Sequence, residues 1–197
     1  LLIVSLIGAV GIALTLGIQQ LTASRAALVQ QNQQRSALLD ILPSASYDNQ
    51  PLQHPLAISQ PLLANSQVLG GYLATLGGQP SAILLRLQTS GYGGPIELLI
   101  AISHTGKLLG VKTLKQSETP TLGGHIAEPN NPWLVALKGR SLEDPKDSAW
   151  ALKKDHGQFD QMAGATITSR AVTNTVHDAL RFFDDHRQLM LEQPPND

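Results

Sequence analysis

The chain has 197 residues, a formal net charge of -1 and 15% charged side chains. That length suits one membrane segment plus one domain with a sizeable core, and the charge balance lacks the basic excess that neutralises a phosphate backbone, so no nucleic-acid partner is expected. Cysteine is absent, which excludes disulfides, thiolate nucleophiles, cysteine-held iron–sulfur clusters, c-type haem attachment and zinc ribbons.

From Leu1 to Ile18 the only polar side chains are Ser5 and Thr15, and the first charge is Arg25. A helix of that purity crosses a hydrocarbon core of about 30 Å. Residues 1–24 are therefore expected to be a single transmembrane anchor in contact with membrane lipid; a buried soluble helix or a cleaved signal peptide would be shorter or carry a polar face. Ser5, Ala9, Ala13 and Gly17 recur every fourth residue and offer a face that another membrane helix can approach closely. Only one flank of the anchor is in the sequence, so positive charge does not orient it.

Residues 25–66 read as a juxtamembrane helix and connector. The segment Arg25–Leu42 has no Pro or Gly and continues as a stalk, and residues 43–66 are rich in Pro, Ser, Asn and Gln. The folded domain is expected over 67–190, with 191–197 as a tail.

Four apolar runs follow at close spacing: Val68–Leu76, Ala82–Gln88, Ile96–Ser103 and Leu108–Leu114. Gly77-Gly78-Gln79-Pro80, Gly91-Tyr92-Gly93-Gly94-Pro95 and His104-Thr105-Gly106-Lys107 separate them with turn chemistry. Connections this short leave no room for crossover helices, so the sheet is expected to be antiparallel. A short helix is expected around Pro132–Gly139 and a strand at Ala149–Lys154. The last element is a helix of about five turns starting near Thr168, with Ala171, Val172, Thr175, Val176, Ala179, Leu180 and Phe183 on its buried stripe and Arg170, Asn174, Asp178 and Arg181 outside it. Helices packed on an antiparallel sheet make the domain α+β.

The segment Asp160-Gln161-Met162-Ala163-Gly164-Ala165-Thr166 lies just before that helix. Gly164 and Ala165 leave the backbone open, and the Thr166 hydroxyl stands at a helix N-terminus, where unpaired N–H groups and the dipole favour an anion. Ordinary capping by Thr166, Thr168 or Ser169 is the plainer reading of the same residues. The six histidines show no i, i+4 pairing, so no metal site is expected. There is no G-x-S-x-G, P-loop or G-x-G-x-x-G fingerprint, and no catalytic residue is assigned.

Residues 160–166 resemble the pattern Asp-x-x-(Ser/Thr)-Gly-Ala-Thr read by the flavin transferase that joins flavin mononucleotide (FMN) to protein threonines, departing from it only at Ala163. Gly91–Ile96 and Glu118-Thr119-Pro120-Thr121-Leu122-Gly123 look like two further signatures of the G subunit of the Rnf (Rsx) electron-transport complex, the second with Thr121 where glycine is usual. The order of motifs and the single anchor also match, over nearly the whole chain.

The resemblance implies an electron-relay subunit, not catalytic alone, of a membrane complex exchanging electrons between ferredoxin and NAD with coupled ion transport. It implies FMN held covalently by a phosphoester to Thr166, with the other subunits and a maturing flavin transferase as partners. It also implies a single-pass protein of the inner membrane with a periplasmic domain. Around the cofactor it suggests Gly164, Ala165 and Thr168 beside the acceptor, and Tyr92, Gly93, Gly94, Glu118, Thr119, Leu122 and Gly123 in loops that form walls, where glycine permits close backbone contact; tight turns alone would use the same residues. Lys153 or Lys154, alternating on the expected strand, would point inward and favour reduced flavin, although a solvated lysine is the plainer reading. Two alternatives stay open: the C subunit of the sodium-pumping NADH:quinone oxidoreductase, and a flavin-free scaffold protein.

Overall fold

Four strands, β1 (Gln67–Leu76), β2 (Gln79–Ser90), β3 (Pro95–Ser103) and β4 (Leu108–Lys115), pair in sequence order as an antiparallel meander. They belong to a computed structural model that describes residues 38–53 and 55–192. The chain divides into two compact units, Leu1–Asp40 and Ile41–Asp197. The expected membrane anchor and its small-residue face lie outside the described residues, as does the tail beyond Glu192. Among the described residues no helix is long and apolar enough to cross a membrane.

The register explains the apolar runs. Ile83 faces Ile102, Leu85 faces Ile100 and Leu87 faces Leu98 across β2 and β3, and Ile100 faces Val111 on β4. These side chains share one face, as the two-residue period requires, and all are buried with Val172, Val176, Ala179, Leu180 and Phe183 of the final helix in one core. Each such side chain contributes about 1.5–3 kcal/mol on burial. Leu84, Leu99 and Ala101 on the opposite face are buried too, so the central strands read as continuous hydrophobic runs.

Both sheet edges are covered, which blocks pairing with another chain. Along β1, Leu56 N–H donates to Gly71 O (2.8 Å) and Asp48 N–H to Thr75 O (2.8 Å), while Asn49 bonds Leu73 O and Thr75 N–H through its side chain. Residues 43–66, expected as a connector, are thus built into the unit that starts at Ile41. Along β4, Leu108 exchanges hydrogen bonds with Gly139 and Arg140, and Thr113 Oγ1 donates to Ile126 O.

The short helix α1 (Pro132–Val135) occupies the first half of the expected span; Asn131 caps it by accepting from Trp133 and Leu134 N–H groups. The final helix, α2 (Thr166–Leu191), begins two residues before Thr168 and is longer than expected, at 26 residues. Its polar stretch Asp184–Arg187 contains no breaker, and the helix ends only as Pro194 and Pro195 approach. Asp178, expected outside the buried stripe, is 6% exposed, because its carboxylate accepts from Asn65 N–H (2.8 Å), Asn65 Nδ2 (3.2 Å) and Ser66 Oγ (2.8 Å).

The expected strand Ala149–Lys154 is not formed. Trp150 and Leu152 are buried and their neighbours less so, which mimics strand alternation, but the backbone curls into two 3-10 turns, Asp147–Ala149 and Lys153–Asp155. Its hydrogen bonds close locally: Gln158 N–H to Ala149 O, Phe159 N–H to Ala151 O and Lys153 N–H to Phe159 O. A left-handed His156 (φ 66°) makes the reversal, and Trp150 packs on Phe159 with ring centroids 4.8 Å apart.

Candidate functional site

Three connections meet at one end of the sheet: the β2–β3 turn, the loop after β4, and the segment leading into α2. They enclose a cleft of about 590 Å³, within the usual range for small-molecule sites. Tyr92, Glu118, Thr119, Leu122, Gly123, Gly164, Ala165, Thr166 and Thr168, all singled out from sequence, line it together, joined by Gln161 and Ile167. Tyr92, Ile167 and Leu122 are 72%, 48% and 41% exposed at its rim.

Glu118 stitches the three segments. It is buried, its Oε1 accepts from Gly93 N–H at 2.8 Å, and its Oε2 accepts from the Thr168 hydroxyl. A side chain at Gly123 would stand 2.7 Å from Glu118 Oε2, so only glycine fits there. Gly93 thus belongs to the cleft's support, and Gly94, with φ 143°, allows the turn to close.

The loop before α2 is pinned at several points. Trp133 Nε1 donates to Asp160 O at 2.6 Å, and Lys153 Nζ meets Asp160 Oδ2 at 2.7 Å. Ser169 Oγ accepts from Met162 N–H at 2.9 Å and donates to Ala165 O at 2.8 Å, closing a ring of bonds around Gly164. Gly164 has φ 69°, and a Cβ there would sit 2.7 Å from Leu122 Cδ2. Both the left-handed backbone and the contact with Leu122 demand glycine.

No side chain caps α2: Ala165 is the N-cap, and the N–H groups of Thr166, Ile167 and Thr168 find no acceptor among the described residues. Unpaired donors and the positive end of the dipole therefore face the cleft. The Thr166 hydroxyl, half-buried on the first residue of the helix, donates to Gln161 Oε1 at 3.1 Å. An amide oxygen is no general base, so this contact does not activate Thr166 as a nucleophile.

Lys153 does not point into the cleft; without the expected strand there is no alternation to direct it inward, and it pairs with Asp160 in a 3-10 turn with its side chain 61% exposed. Asp160 caps nothing at α2 and serves the loop through Lys153 and Trp133. Ala163 is exposed, and neither it nor Thr121 lines the cleft. Gln161 and Ile167 were missed from sequence, yet both flank the threonine motif, and the helical period puts Ile167 beside Thr166 on an exposed side. Among the described residues no cluster could hold a metal ion.

The FMN-binding domain family matches residues 91–181, a span that contains every cleft-lining residue. Along the whole chain, the G subunit of the ion-translocating oxidoreductase complex of Pseudomonas aeruginosa is 44% identical over 192 residues, covering 96% of this chain and 90% of that protein. The protein of the same name from Shewanella loihica is 38% identical, covering 93% and 88%, and that from Stutzerimonas stutzeri is 41% identical, covering 88% and 74%. A solved structure, the C subunit of the sodium-translocating NADH-quinone reductase of Parabacteroides distasonis, aligns with 64% of this chain and 64% of its own at 24% identity and a TM-score of 0.47, too low to carry an argument.

Proposed function

The chain belongs to the family of the G subunits of ion-translocating oxidoreductase complexes, and on that premise we propose that it is an electron-relay subunit whose FMN is joined by a phosphoester to Thr166. The observation that carries this reading is the Thr166 hydroxyl at the mouth of the cleft, on the first residue of a helix whose terminal N–H groups lack acceptors among the described residues. Those groups suit a phosphate.

The residues present fit such a group. Unpaired N–H donors at 166–168 would hold the phosphate, and the apolar rim of Tyr92, Leu122 and Ile167 would meet a flat aromatic ring. Flavin, when bound, supplies one- and two-electron chemistry, while the protein supplies position, shielding and potential. The loop bonds from Trp133, Lys153 and Ser169 hold the acceptor in place. Attachment would fall to a separate transferase, because among the described residues the Thr166 hydroxyl is partnered by the Gln161 amide and by no base.

The protein works within a multisubunit membrane complex. Its expected anchor, residues 1–24, and an expected periplasmic domain complete the reading, and neither Ala163 nor Thr121 obstructs the cleft. Chain purified from a host that makes the complex is expected to retain yellow flavin colour after acid precipitation. A colourless precipitate from folded wild-type chain would favour a flavin-free scaffold instead.

A further inference from the structure

Glu118 stands out among the polar groups around the cleft. Its side chain is 6% exposed, and among the described residues it forms no ion pair. Burying a carboxylate without a cation is costly unless its oxygens accept hydrogen bonds, and here each oxygen accepts one. Gly93 N–H comes from the β2–β3 turn, and the Thr168 hydroxyl comes from the first turn of α2. Both connections contribute residues to the cleft, and among the described residues no backbone hydrogen bond links them directly. We propose that Glu118 is the positioning residue of the site, fixing the turn that carries Tyr92 against the start of α2 and so setting the width of the cleft.

The chemistry of the two contacts separates a tether from a charge. A glutamine at 118 keeps both links, since its amide oxygen accepts from Gly93 and its NH₂ donates to the Thr168 oxygen, which both donates and accepts. An alanine keeps neither. Gly93 is itself exposed, so slow exchange of its amide proton reports the Glu118 bond and little else. The inference rests on the flavin reading only for what fills the cleft; the tether is read without flavin.

The test compares Glu118→Ala, Glu118→Gln and Thr168→Val in the full-length Thr166→Ala chain, which carries no covalent flavin, by amide exchange at Tyr92–Gly94. Exchange at Gly93 is expected to quicken at least tenfold in Glu118→Ala and to stay within about twofold of the parent in Glu118→Gln. Thr168→Val fills the same volume but frees one carboxylate oxygen, and is expected to loosen the first turn of α2 while Gly93 stays protected. In the flavin-carrying chain, Glu118→Ala is expected to blur the vibronic shoulders of the visible flavin band and Glu118→Gln to restore them. Unchanged Gly93 exchange in folded Glu118→Ala, or quickened exchange in folded Glu118→Gln, would overturn the proposal. If the alanine chain fails to fold, the glutamine and valine chains decide it. Absence of flavin from the wild type would sink the flavin reading and leave the exchange result standing.

Discussion

Arg170 grips Asp155 at two points, Nε to Oδ2 at 2.7 Å and Nη2 to Oδ1 at 2.9 Å, and so fastens the curl of residues 149–159 to the second turn of α2, one turn beyond Thr166. The fork geometry is specific to arginine. The Arg170 hydrogen bond holds the Asp155 carboxyl below its ordinary range. A depressed folded value means that the contact contributes at pH above the unfolded carboxylate value and is lost as pH falls through the folded one. Arg170→Gln is expected to return Asp155 to the ordinary carboxylate range in an NMR titration and to flatten the acid limb of stability against pH. An Asp155 titration identical in the two chains would show that the fork is not formed in solution.

The loop after β4 carries an opposite pH dependence. The hydrogen bond that His125 Nδ1–H donates to Glu128 Oε1, at 2.6 Å, raises the imidazole above its ordinary value, with Thr121 O adding to the effect. A raised value means that the pairing contributes fully below the unfolded histidine pKa and is lost as pH rises through the folded one. Glu128→Gln is expected to lower the His125 titration midpoint seen by NMR. A midpoint unmoved by that change would remove Glu128 as the cause.

Gly164→Ala places a Cβ on a left-handed residue and against Leu122. The strain is expected to cost roughly 1–3 kcal/mol and to distort the ring of bonds from Ser169 that presents Thr166, so covalent flavin should fall while the sheet stays folded. Paired measurement of acid-stable flavin and urea unfolding checks this; full flavin content would show that the loop tolerates the side chain.

Phe183→Ala removes one of the largest fully buried side chains, in the core that α2 shares with the sheet. A loss of about 3–5 kcal/mol is expected from equilibrium unfolding. A loss below about 1 kcal/mol would mean that α2 packs differently.

Much of this was readable from residues alone, where local rules and tertiary packing agree. The four strands and their turns follow from apolar runs separated by Gly and Pro, whereas the cleft was marked by the family resemblance of motifs that sit on those turns and on the helix start. The failures share a cause: packing or long-range hydrogen bonds overrode a local signal. Trp150 and Leu152 alternate as strand residues do, yet the backbone around them bonds to Phe159 and Gln158. Residues 43–66 are polar and proline-rich, yet the Asp48 backbone N–H and the Asn49 side chain pair with the open edge of β1. Asp178 falls outside the apolar stripe, and its burial is not legible locally because its partners Asn65 and Ser66 lie more than a hundred positions away. Glu118 showed itself as part of a motif, but its bond to Thr168 is visible only in three dimensions.

The most direct test of the central claim is mass spectrometry of the tryptic peptide 155–170 from the purified chain, which contains three candidate hydroxyls. Among the described residues Thr166 borders the cleft with only Gln161 as hydroxyl partner, whereas the Thr168 hydroxyl is committed to Glu118 and the Ser169 hydroxyl to Met162 and Ala165. Fragmentation is expected to place one FMN phosphoester on Thr166, and the modified peptide to vanish in Thr166→Ala. FMN on Thr168 or Ser169, or an unmodified peptide from chain that is otherwise folded and assembled, would contradict the account.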